Sequence, residues 1–209
     1  MLKSRLLLIV LALGFGWNSS AQTTTLHYTI GAAFFDIGTY TVTQKIDGDS
    51  SFYSAVSDVV VPYLFSKYKV QFITDSKFYN DTMILCHVDV IVNGKLRESN
   101  QTVYTGGNYK IHRVDEDENV RDEFLDVPAI FVTSSMLFFN EPYESEYYAQ
   151  NYAELYGFFN KIVKSDKNSY DIIDKKTGRK TTYSYKKGAV VSTDIDYPLM
   201  TFGLTRVKD

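Results

Sequence analysis

The sequence contains few residues that cross-link or stiffen a chain. Cys86 is the single cysteine among 209 residues, so no disulfide can form within the chain. Only four prolines are present and low-complexity tracts are missing, which argues against disorder. The one tryptophan, Trp17, contrasts with 17 tyrosines and 14 phenylalanines. The chain must therefore be held together by its core, and this composition is typical of an aromatic-rich β protein.

An excess of positive charge is also lacking. Lys and Arg number 22 against 25 Asp and Glu, which gives a formal net charge of −3 at pH 7. A nucleic-acid backbone or an anionic membrane surface requires clustered Lys and Arg on the protein. We therefore expect no nucleic-acid partner.

The first 21 residues have the pattern of a cleaved export signal. A basic start, the apolar residues 6–15 and small residues that end at Ala21 follow one another in the expected order. The alternative, an uncleaved membrane anchor, requires an apolar run of about 20 residues. We therefore expect residues 1–21 to be removed, which leaves residues 22–209 as a single domain without a transmembrane segment. The protein would then be exported, either to the periplasm or out of the cell.

Apolar and polar residues alternate with a period of two along most of the chain, a pattern typical of β-strands. The alternation is clearest in residues 84–92, where Cys86 belongs to an apolar face. Met83 falls on the opposite, mixed face by the same count. Asn93-Gly94 is a strong signal for a hairpin turn. Because strands follow one another without a helical crossover, we expect antiparallel pairing.

One segment, residues 134–157, departs from this alternation. Residues 136–139 are too clustered for a half-exposed strand, and Ser145 can cap a helix that ends before Gly157. We expect two short helices here, packed on the concave face of a curved sheet. The second helix would align four side chains: Tyr148, Tyr152, Leu155 and Tyr156.

The aromatic side chains of this segment have two interpretations. They can plug the core, or they can line a groove for an apolar, amphipathic or glycan ligand. Burial of one aromatic side chain stabilises a protein by roughly 2–3 kcal/mol, so many exposed aromatic residues without a partner would be costly. The candidate groove residues are Met136, Phe138, Phe139, Tyr148, Tyr152 and Tyr156.

An acidic stretch has oxygen donors at relative positions 1, 3, 5, 9 and 12: Asp115, Asp117, Asn119, Glu123 and Asp126. This spacing resembles a calcium-binding loop of the helix-loop-helix type. Val120 stands where that loop needs a glycine, and the flanking segments are predicted strands. The alternative is a solvated acidic loop between strands. Apart from calcium, no cofactor is expected.

The sequence contains little that points to catalysis. The histidines His27, His87 and His112 each lie within a strand pattern, and no two have metal-ligand spacing. Cys86 and His87 are adjacent, and adjacent side chains of a strand point to opposite faces. Without a bulge they therefore cannot act as a nucleophile and its base, and we expect Cys86 to be a small buried hydrophobic residue. We predict no catalytic residue.

Four short segments resemble a known family: Ala21-Gln22, Phe35-Asp36-Ile37-Gly38, residues 65–77, and residues 134–142. The family comprises small exported proteins of unknown function found in Bacteroidota, related to the spiral β-roll envelope proteins. The resemblance extends over residues 25–207. It implies a long antiparallel sheet curled around short helices, and it supplies no catalytic residues.

These observations together predict a mainly β protein, with a long antiparallel curved sheet of the spiral β-roll or half-barrel kind. They favour a non-enzymatic envelope protein that binds or carries an apolar or amphipathic ligand, such as a lipid, another amphipathic molecule or a glycan. One alternative is an interaction or structural module that docks to another envelope protein through a sheet edge. A second alternative is an uncharacterised enzyme.

Overall fold

The computed structural model describes residues 21–32, 35–63, 66–143, 146–196 and 202–208. Within them the chain forms one antiparallel sheet of fourteen strands. The strands, in chain order, are β1 Gln22–Ala32, β2 Phe35–Asp47, β3 Ser50–Tyr63, β4 Ser66–Tyr79, β5 Thr82–Val92, β6 Lys95–Tyr104, β7 Tyr109–Asp115, β8 Val120–Leu125, β9 Gln150–Ala153, β10 Phe158–Asp166, β11 Ser169–Ile173, β12 Lys180–Lys186, β13 Ala189–Ile195 and β14 Phe202–Arg206.

The strand order is β8-β7-β6-β5-β4-β3-β2-β1-β14-β13-β12-β11-β10-β9. The first eight strands are successive neighbours, and β1 then pairs with the last strand, β14. Tyr28 of β1 thus lies between Tyr40 and Arg206. The predicted turn between β5 and β6 is confirmed, since Asn93 and Gly94 both have positive φ, at 51° and 78°.

The sheet curls so that its two ends meet. β6 and β7 lie near one end, and the turn after β9 lies at the other. The side-chain amide of Asn100 in β6 donates hydrogen bonds to the carbonyls of Glu154 (2.8 Å) and Leu155 (2.9 Å). Arg113 in β7 donates to the carbonyl of Tyr156 at 2.6 Å. The two ends of the sheet are therefore joined by hydrogen bonds from side chains and not by pairing of backbones. The strands β8 and β9 are the edge strands.

The segment between β8 and β9 passes through the interior of this curl. Ile130 belongs to a core cluster under β3 to β7, while Leu137 and Phe138 belong to a second cluster under β1 to β3 and β10 to β14. The ring of Phe138 lies 5.3 Å from that of Tyr28 and 5.0 Å from that of Tyr40. This segment is therefore a plug that joins both halves of the core.

The prediction of two short helices on the concave face is wrong. Met136–Phe138 and Glu146–Ala149 are single 3₁₀ turns, and the described residues contain no α-helix. The predicted cap of the second helix, Ser145, lies outside the described residues.

Strand pairing explains the difference. Tyr152 lies in β9, opposite Phe159 of β10, and its N–H donates to the carbonyl of Val132 at 2.7 Å. The β9–β10 connection closes through the N–H of Gly157, which donates to the carbonyl of Ala153 at 2.9 Å. Gly157 adopts a φ of 66°. A positive φ is typical of a glycine just past the end of a helix, but a glycine in a tight turn adopts it as well. The helical spacing of the tyrosines is thus overridden by tertiary pairing.

A β-bulge changes the predicted faces of β5. Phe78 pairs with Met83 and Lys77 with Leu85, so Ile84 is an extra residue on β5. The bulge turns Met83 into the core, where it is fully buried beside Cys86. The expectation that Met83 lies on the mixed face is therefore wrong.

Most of the predicted export signal, residues 1–20, lies outside the described residues, as does Phe65 of the resemblance. Among the described residues, no helix has the length and hydropathy needed to cross a membrane.

Candidate ligand-binding cleft

The predicted calcium-loop residues lie in and around the β7–β8 hairpin. Asp115 ends β7, Asp117 and Asn119 follow it, Glu123 lies within β8, and Asp126 follows that strand. Asp115 Oδ1 accepts hydrogen bonds from the N–H groups of Asn119 and Asp117, both at 3.0 Å. Hydrogen bonds from Asn119 chiefly lower the pKa of Asp115. No three His, Cys, Asp or Glu side chains of the described part of the chain are grouped to hold a metal, and the calcium site stays a prediction.

The candidate groove residues do not share one lining. Five of the six pack in or against the core clusters: Met136, Phe138, Phe139, Tyr148 and Tyr152. Tyr156 is more than half exposed and lines the cleft described below. The aromatic segment therefore mainly fills the core.

Cys86 and His87 lie on opposite faces of β5, as predicted. Cys86 is fully buried, whereas His87 is partly exposed and its Nε2 lies 3.1 Å from Asp89 Oδ2. Burial is the main cause that raises the pKa of the Cys86 thiol well above its usual value. This environment disfavours the thiolate, as expected for a structural cysteine.

A cleft of about 290 Å³ lies between the two halves of the curved sheet. Tyr40 of β2, with Phe72 and Thr74 of β4, lines one side. Asn160 of β10 and Ile172 of β11 are among the residues that line the other. The turn after β9, together with Ser134 and Ser135 of the plug, also lines the cleft.

Glu154 places a buried carboxylate in this cleft. Its side chain belongs to the turn that Asn100 fastens to β6, and the residue is 5% exposed. The N–H and the hydroxyl of Ser135 donate hydrogen bonds to Glu154 Oε1, at 3.0 and 3.1 Å. The second oxygen, Oε2, has no hydrogen-bond partner among the described residues. The carboxylate is thus held in place with one acceptor atom left over.

Two further polar atoms of the cleft have no hydrogen-bond partner in the described structure. They are the hydroxyl of Thr74, a residue only 2% exposed, and the buried Oδ1 of Asn160. Most buried polar atoms are hydrogen-bonded, and an unsatisfied one costs about 1–3 kcal/mol. A polar group bound in the cleft would remove that cost.

The phenols near Glu154 remain protonated at neutral pH. Burial, then Tyr183, then the negative charge of Glu154 raise the pKa of Tyr40 well above its usual value. Burial also raises the pKa of Tyr183, with Glu154 as the next cause. The cleft therefore combines a carboxylate with neutral aromatic side chains.

Four charged side chains of both signs line the outer part of the cleft: Asp174, Arg179, Lys180 and Asp196. Lys180 Nζ lies 3.3 Å from Asp171 Oδ2, a carboxylate on the neighbouring strand. Asp174 Oδ1 accepts hydrogen bonds from backbone N–H groups of its own turn. Lys180 and Asp174 are therefore engaged with groups of their own strand pair and turn.

Sequence reasoning missed Glu154 and its neighbours. Ser135, Thr74 and Asn160 come from three distant segments, so no local motif joins them. The one available signal was a lone carboxylate in a run of apolar and aromatic residues. The helical interpretation of that run concealed it.

Comparison with known proteins identifies a family without an assigned activity. The profile of DUF6134, a domain of unknown function, matches residues 35–207. None of the curated proteins compared matches the chain.

One solved structure resembles the fold: the crystal structure of a β-barrel-like protein of the domain of unknown function DUF1849 from Brucella abortus. The similarity covers 88% of this chain and 95% of that one, with a TM-score of 0.52 and 11% sequence identity. It supports a β-barrel-like fold and nothing more specific. The resemblance to a family of unknown function is confirmed in that coarser form, and the chain belongs to the DUF6134 family.

Proposed function

We propose that this protein binds a small amphipathic molecule in the cleft around Glu154. The observation that carries the proposal is that two buried polar atoms without hydrogen-bond partners, on Thr74 and Asn160, line one cleft together with the Glu154 carboxylate, of which only Oε1 accepts hydrogen bonds from described residues. Ligand sites are typically apolar concavities with a few polar groups that fix orientation. Tyr40, Phe72 and other apolar side chains supply the apolar part.

The size of the cleft limits the ligand. Its volume of about 290 Å³ lies just below the usual range for small-molecule sites, which is about 300–1,000 Å³. A molecule with a short apolar body fits this volume better than a full lipid. We further propose, from the pattern of residues 1–21, that binding takes place outside the cytoplasm.

The test uses N-phenyl-1-naphthylamine, an amphipathic dye whose fluorescence rises in apolar surroundings. Thr181 lines the cleft on β12, so Thr181→Trp would fill it from one side. Thr39→Trp makes the same exchange at an exposed position of β2 that does not line the cleft. We expect dye binding to the wild type and to Thr39→Trp, and a loss of most binding in Thr181→Trp. Equal binding to both variants, or no binding to the wild type, would overturn the proposal.

A further inference from the structure

The polar atoms left free in the cleft have one chemical property in common. Glu154 Oε2 and Asn160 Oδ1 only accept hydrogen bonds, and the Thr74 hydroxyl both accepts and donates. A ligand group that satisfies all three must therefore be a hydrogen-bond donor. A ligand carboxylate or phosphate would leave the two acceptor oxygens unsatisfied.

Glu154 forms no ion pair with a described residue, although Arg179 and Lys180 also line the cleft. Its contacts are with the neutral Ser135, and none of the ion pairs among the described residues includes it. A buried charge is costly unless it is paired with an opposite charge. A cationic group on the ligand would supply the missing partner.

Aromatic rings line the same cleft. Tyr40 and Phe72 face a site that also holds the free oxygen of Glu154. The face of an aromatic ring attracts an ammonium group within about 6 Å of its centroid. The rings therefore suit both the cation and an apolar body attached to it.

We propose that the ligand is an amphipathic amine, whose protonated nitrogen binds Glu154 Oε2 while its apolar part packs on Tyr40 and Phe72. This inference rests on the proposed function and adds the chemical class of the ligand.

The test is calorimetric titration of the protein with hexylamine, hexanol and hexanoate, which share one apolar chain and differ in charge. Charge-assisted hydrogen bonds contribute about 1.5–3 kcal/mol, so hexylamine should bind roughly tenfold or more tightly than hexanol. Hexanoate should bind most weakly. Glu154→Gln should reduce hexylamine affinity to that of hexanol, while Glu98→Gln, on β6 and away from the cleft, should change neither.

The outcomes separate the two proposals. Equal binding of all three probes, or strongest binding of hexanoate, would overturn the proposal that the ligand is an amine but would leave the cleft as a binding site. Binding of none of them would overturn both. A loss of binding for all three probes in Glu154→Gln would show that the carboxylate shapes the cleft rather than recognises an amine, and would overturn the amine.

A second inference concerns the edge strand β8, which pairs with β7 alone. Phe124 is 70% exposed and Val120 is 58% exposed, although both are apolar. An exposed edge strand is a template for pairing with another chain. The sequence of β8 indicates which kind of strand can pair with it.

The strand β8 is complementary to itself. When two copies pair antiparallel with Asp122 at the centre, Arg121 of each copy lies opposite Glu123 of the other. Val120 then lies opposite Phe124. Opposite-charge pairs and aromatic–β-branched pairs of this kind stabilise pairing between strands. Each central Asp122 carboxylate already has partners in its own sheet, Lys110 Nζ at 2.8 Å and His112 Nδ1 at 2.7 Å.

We infer that two copies of this chain pair through β8 into one continuous sheet. The test is light scattering across a range of protein concentrations. Arg121→Glu and Glu123→Arg should each shift the protein toward the monomer, because like charges then face each other. The double exchange should restore the dimer. A wild type that stays monomeric at every concentration, or single variants that dimerise like the wild type, would overturn the inference.

Discussion

The hydroxyls of Thr102 and Tyr152 lie 2.8 Å apart, and both side chains are fully buried. Thr102 belongs to β6, near one end of the sheet, and Tyr152 belongs to β9, at the other end. This hydrogen bond therefore joins strands that share no backbone ladder. Tyr152 precedes Glu154 by two residues, and the placement of Glu154 defines the cleft.

Tyr152→Phe should lower the free energy of unfolding by about 1–3 kcal/mol, since it leaves the buried Thr102 hydroxyl without its partner. Chemical denaturation measures this change. Thr102→Val should cost a similar amount, and the double variant should cost less than the sum of the two. Strictly additive costs would show that the two hydroxyls are not coupled.

Gly38 should resist substitution, whereas Gly31 should accept it. A Cβ on Gly38 would lie 2.2 Å from the carbonyl oxygen of Asp58 on β3, a backbone atom. A Cβ on Gly31 would meet only the carbonyl oxygen of Phe35, at 4.0 Å. We expect Gly38→Ala to lower the free energy of unfolding by about 1–3 kcal/mol and Gly31→Ala to be close to neutral. Equal melting temperatures for the two variants would contradict this account of β2–β3 packing.

Stability should fall in alkaline solution because of the buried tyrosines. Burial raises the pKa of Tyr109 and of Tyr148 to about 12, from 10.0 when unfolded. Folding thus favours the neutral phenols, so their contribution is complete below pH 10.0 and is lost as the pH rises through about 12. Urea titrations at increasing pH should show this decline, and tyrosinate absorbance should appear together with unfolding. Tyrosines that all ionise near pH 10.0 in the folded protein would contradict it.

Cys86 should be unreactive until the protein unfolds. Burial, followed by the negative charges of Glu154 and Asp75, raises the pKa of its thiol. We expect Ellman's reagent to label the native protein far more slowly than the protein in guanidinium chloride. Because Cys86 is the single cysteine, Cys86→Ala provides the blank. Rapid labelling of the native protein would mean that this part of the core opens.

The strands were predictable because their signals are local. Leu26, Tyr28 and Ile30 alternate with polar residues, and all three are buried in β1. Asn93-Gly94 favours the positive φ that its turn requires, independent of the rest of the chain. The bulge that turns Met83 inward was hidden, because the sequence does not show where a partner strand gains or loses a residue.

The cleft was not predictable for a related reason. The tyrosines at 148, 152 and 156 have helical spacing. This segment nevertheless forms strand β9, because its backbone pairs with β10 and with the plug. Glu154 acquires its role from Ser135, Thr74 and Asn160, which only the curled sheet brings together. A lone carboxylate in an apolar stretch is a weak sign in one sequence.

The central claim is that the interior cleft holds a small amphipathic molecule. Native mass spectrometry of the protein, purified from its own host, tests it most directly. We predict a stoichiometric adduct that organic solvent extracts from the wild type and that is missing from Thr181→Trp. A wild-type mass without any adduct, or an adduct that Thr181→Trp retains, would contradict the claim.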